Sequence, residues 1–119
     1  MMLSREAAIA KVAGMPHVTS VERTAAKLMA WKEFARATGC RFTGATDEQA
    51  VWVVGIAGTL SMQPHGTARG GAIVIDAASG RNLAGDLFMV PMWPDYWDSL
   101  PDAADQSEPA TGGESGLTR

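Results

Sequence analysis

Residues 50–88 contain two apolar runs, AVWVVGIAGTL (50–60) and GGAIVIDAASGRNLAGDLF (70–88), and their reading decides the fold. In the first, Trp52, Val54, Ile56 and Leu60 fall on one side while Val51, Val53 and Ala57 fall on the other. That is the two-residue period of a β-strand. Both sides are apolar near the start, which predicts an interior strand covered on one side by a helix. In the second run, Ile73-Val74-Ile75 ends at Asp76, and Gly80 stands where a tight turn needs positive φ. Residues 72–88 therefore read as a hairpin, preceded by a polar, Gly-rich loop over 61–71. The pattern is that of an antiparallel sheet.

Upstream, Ser4 is placed to cap a short helix, with Glu6 in its first turn and Gly14 and Pro16 ending it. Residues 18–38 have two readings. Val18, Val21, Ala25, Leu28 and Trp31 are spaced three and four apart, as in a helix. Val18, Thr19, Val21 and Thr24 are β-branched, as in a strand. The spacing and composition together predict a strand over about 18–28 and a helix over 30–38 ended by Gly39. A single helix over 19–38 is the alternative.

The chain has 119 residues, a net charge of −3 and a single cysteine, Cys40. One domain over 1–100 is expected at this length. Formal charges cancel up to Leu100; Asp102, Asp105, Glu108 and Glu114 against Arg119 supply the whole excess. Residues 101–119 are otherwise small and polar, which predicts a flexible acidic tail. No basic footprint is present, so nucleic-acid binding is not expected. No apolar run is long enough for a membrane span or signal peptide, and as written the chain is expected to be cytoplasmic; an exported form would require that a leader had been removed.

Candidate chemistry is sparse. His17 and His65 each sit beside a proline, without a second ligand at metal-site spacing. Cys40 with His65 is the nucleophile pair the composition offers, and nothing local supports it. The run Gly66-Thr67-Ala68-Arg69-Gly70-Gly71 precedes a strand rather than a helix, so it reads as a hairpin loop and not a phosphate cradle. Asp76 reads as a turn aspartate and Asp86 as a surface residue. No catalytic residue, metal or cofactor is expected. Trp93, Tyr96 and Trp97 remain, and two readings stay open for them. They either fold back to complete the core or serve as partner-binding anchors rimmed by Asp95 and Asp98.

The order helix, strand, VWVVGIAG (51–58) and GGAIVIDAASGRNLAG (70–85) resembles the PepSY family of small α+β domains. The likeness is carried by the strand 51–57, by Val74-Ile75-Asp76-Ala77 and by the turn Ser79-Gly80 before Leu83, within about residues 4–88. Segment 30–48 and the aromatic segment are additions to that pattern. The resemblance implies an α+β domain that inhibits or escorts a peptidase, as in propeptides of thermolysin-like peptidases. The expectation is an α+β fold: a small antiparallel sheet of three or four strands with one or two helices packed on one face. The expected function is that of a non-enzymatic protein-binding module, a peptidase inhibitor or propeptide-like regulator, which acts through a strand edge or helix face. The alternative is an accessory subunit that joins a larger assembly through residues 92–97.

Overall fold

The computed structural model describes residues 2–39, 44–61, 66–90 and 92–104. Helix α1 (Arg5–Ala13) leads into strand β1 (Val18–Ala30), which passes directly into helix α2 (Trp31–Thr38). Strands β2 (Ala50–Ser61), β3 (Thr67–Asp76) and β4 (Asn82–Phe88) follow, and a 3-10 turn spans Trp97–Ser99. The strands form one antiparallel sheet in the order β1-β2-β3-β4. The chain is thus an α+β protein.

The strand-then-helix reading of 18–38 holds. β1 pairs with β2 along its length, from Val18 opposite Leu60 to Ala30 opposite Ala50. The helical spacing of its apolar residues is coincidental, because Val21 is exposed. At Ala30 the backbone is still extended, and the first amides of α2 are met by the following loop: Trp31 N–H donates to Gln49 and Lys32 N–H to Asp47. Gly39 ends α2 in a left-handed conformation.

Two hydrophobic layers lie on opposite faces of the sheet. On one, Trp52, Val54, Ile56, Ile73 and Ile75 pack against Ala8 and Val12 of α1. Ser4 caps this helix by accepting the Ala7 N–H. Leu3 ties the helix start to the sheet, its N–H donating to Ala77 and its carbonyl accepting from Trp52 Nε1. On the other face, Val51, Val53 and Val74 pack against Trp31 and Phe34 of α2 and against Trp97 and Leu100. One or two helices are expected on one face; the two present take opposite faces. β2 is interior as expected, but it is covered on both sides rather than one. The loop expected over 61–71 is also shorter, since Thr67–Asp76 is strand and the run from Thr67 to Gly71 pairs within it.

The hairpin turn is built as the sequence predicts. Gly80 has φ 76°, and its N–H donates to the Asp76 carbonyl. The Asp76 carboxylate accepts from Gln49 Nε2, Ser79 N–H and the Ser79 hydroxyl. The bond from Gln49, then those from Ser79, hold its pKa below the ordinary aspartate value. Gly80→Val is expected to cost about 1–3 kcal/mol, since a β-branched residue resists positive φ. A Cβ there would also press on Lys11 and Leu3, at 3.1 and 3.2 Å. Thermal melts of the two proteins measure it, and an unchanged midpoint would refute this account of the turn.

Candidate functional site

An open four-stranded sheet has two edges, and this chain treats them differently. Along β1, Ala26 and Leu28 turn backbone groups outward, and side chains meet them. Arg5 Nη1 donates to the Ala26 carbonyl and, at 2.9 Å, to Asp102 Oδ2. Asp102 Oδ1 accepts from Leu28 N–H and Ala104 N–H, each at 3.1 Å. Such a clamp blocks further strand pairing at that edge. Asp102 and Ala104 are accordingly docked, with Ala104 only 4% exposed. The expected flexible tail therefore does not begin at 101; its residues beyond 104 lie outside the described ones.

Among the described residues, nothing covers the β4 edge in this way. Among the described residues, Asn82–Phe88 makes backbone hydrogen bonds to β3 and to nothing else. Its one charged residue, Asp86, is turned to a sheet face, where it accepts from the Tyr96 hydroxyl at 2.8 Å. Asp86 is thus half-buried and engaged, not the free surface residue expected. It lies opposite Ala72, while Asp76 is occupied at the turn, so the two carboxylates form no catalytic pair.

Beside this edge, on the α1 face, a groove of about 470 Å3 is lined by His17, Ser61, Ile73, Asn82, Gly85 and Leu87. Ile73 forms an apolar floor at 3% exposure, and Leu87 is half-buried along one wall. Gly85 has no side chain to fill the space between them. Just beyond β4, Met89 and Val90 are exposed, as is Met92. An extended chain laid along β4 would find unpaired backbone groups and, on one side, an apolar slot for alternate side chains.

The aromatic segment folds back on the opposite face. Trp97 is 7% exposed and packs edge-on against Trp93, with ring centroids 5.4 Å apart. Tyr96 is half-buried and stands edge-on to Phe34 of α2. Lys27 reaches from β1 to hold the segment, donating to the carbonyls of Trp97 (2.7 Å) and Leu100 (3.1 Å). Two strand glycines make room for it. A Cβ on Gly55 would lie 2.8 Å from the Trp93 ring, and one on Gly70 would lie 2.4 Å from the Met92 carbonyl oxygen. These glycines are the sequence signal that a segment approaches the sheet closely. Arg5, Lys27 and Asp102 were likewise missed, because isolated charged residues leave no periodic trace.

Of the residues considered for chemistry, His17 lies at the groove, whereas Cys40 and His65 lie outside the described residues. Among the described residues, no group of three His, Cys, Asp or Glu is placed to hold a metal ion. Among the same residues, no helix is long and apolar enough to cross a membrane. The chain matches no known family model, and no curated protein or solved structure is found to be similar to it.

Proposed function

We propose that this chain is a non-enzymatic protein-binding module that takes an extended segment of a partner as a fifth strand against β4. The observation supporting this reading is the asymmetry of the edges. β1 is clamped by Arg5 and Asp102, while β4, among the described residues, is open and borders a groove floored by Ile73. Main-chain pairing would supply affinity, and the groove would select the side chains on alternate positions. A peptidase is the partner class that the PepSY resemblance implies, which makes inhibition or escort the first role to test. A second reading, an accessory subunit docked through residues 92–97, draws on exposed Met92 beside Met89 and Val90. Trp93, Tyr96 and Trp97 contribute less to it, since their rings serve the chain's own packing.

Selection of binders from a random peptide library against the full chain tests the proposal. The selected peptide should slow amide exchange across 82–88. N-methylation of its alternate residues on one register should weaken binding by roughly tenfold per lost hydrogen bond, and methylation on the other register should not. Affinity indifferent to both methylation patterns, with protection elsewhere, would overturn strand addition. Protection centred on 89–92 instead would favour the accessory reading.

A further inference from the structure

A second notch lies on the aromatic face, at the far end of the sheet from α2. It has a volume of about 270 Å3 and is lined by Glu22, Arg23, Gly58, Arg69, Met92 and Trp93. Its two cations are oriented by neutral groups. The Arg23 guanidinium lies over the Trp93 ring, 3.8 Å from the centroid. Arg69 Nε donates to the Gly58 carbonyl at 3.4 Å. Among the described residues neither arginine forms an ion pair, in contrast to Arg5 with Asp102 and Arg36 with Glu33. Stacking on an indole fixes the plane of a guanidinium while leaving its N–H edge available. The Trp93 Nε1 is buried and, among the described residues, has no acceptor.

We infer that Arg23, Arg69 and Trp93 form an oxyanion-binding notch that takes a carboxylate or phosphate group. Charge supports the inference. Two guanidiniums face a single carboxylate, Glu22, so the notch is net positive in a chain whose net charge is −3. Planar N–H forks suit either oxyanion, since each presents paired oxygens at matching spacing. The notch is separate from the β4 edge, and this inference does not depend on the proposed strand addition.

The test uses the full 15N-labelled chain, titrated at constant ionic strength with inorganic phosphate and, separately, with acetate. Saturable shifts are expected at the Trp93 indole N–H and at the Nε–H groups of Arg23 and Arg69, with affinity on the order of millimolar. Arg69→Gln leaves the Trp93 stack in place and should weaken binding by about tenfold. Arg23→Gln should do the same, with thermal melts confirming that each variant is folded. Saturation by phosphate alone assigns a tetrahedral ligand, and saturation by acetate as well assigns carboxylates too. Non-saturating shifts with both anions, or affinity unchanged in Arg69→Gln, would overturn the site.

Discussion

Trp97→Ala is expected to destabilise the domain by about 3–5 kcal/mol, the scale for removing a buried aromatic side chain. Trp97 is 7% exposed and belongs to the layer of Val51, Val53, Val74 and Phe34, so its loss opens a cavity in the centre of one face. The damage should spread, because Trp97 is packed against Trp93 and its carbonyl is one of the two that Lys27 binds. Trp93→Ala should cost less, since Trp93 is half-buried at the rim under Arg23. Denaturant midpoints of the two variants measure both. A midpoint unchanged in Trp97→Ala would show that the ring is spare in the isolated chain and would return it to the role of partner anchor.

Asp102→Ala is expected to cost about 2–4 kcal/mol, between the penalty for an orphaned buried N–H and that for a broken buried ion pair. Its carboxylate has only 11% side-chain exposure and serves Arg5, Leu28 N–H and Ala104 N–H together. Removing it leaves an amide of β1 without its acceptor and takes from Arg5 its ion pair with Asp102. Asp102→Asn keeps an acceptor for Leu28 but not the charge, so it should fall between wild type and Ala. Amide exchange adds a local readout: the Leu28 N–H should lose protection in Asp102→Ala before the β2–β3 ladder does. Equal stability of all three proteins would show that the clamp is a surface pair of no consequence.

These two residues mark where local sequence reading ends. Asp102 reads as part of a flexible tail because its neighbours are small and polar, and such composition describes what a segment can bury by itself. It says nothing of a single carboxylate that meets backbone groups 74 residues away at Leu28. Trp97 was legible as apolar and aromatic, yet the choice between core and interface depended on whether a free sheet face lay within reach. Gly55 and Gly70 held part of that answer, since a strand residue without a side chain marks a close approach, but not what approaches.

The sequence by itself determined the α+β class, the β2–β4 meander and the turn at Gly80, and favoured a strand-to-helix passage near Ala30 over a single helix. Each is written in short-range terms: alternation of side chains with period two, β-branching, and one glycine at positive φ. The tertiary structure alone decided that the helices take opposite faces, that residues 92–100 close the second face, and that β1 is clamped while, among the described residues, β4 stays open. Those outcomes depend on which surfaces remain uncovered once the sheet has formed. They are set by contacts between residues far apart in the chain, such as Arg5 with Asp102 across 97 positions, and no local periodicity encodes such a contact.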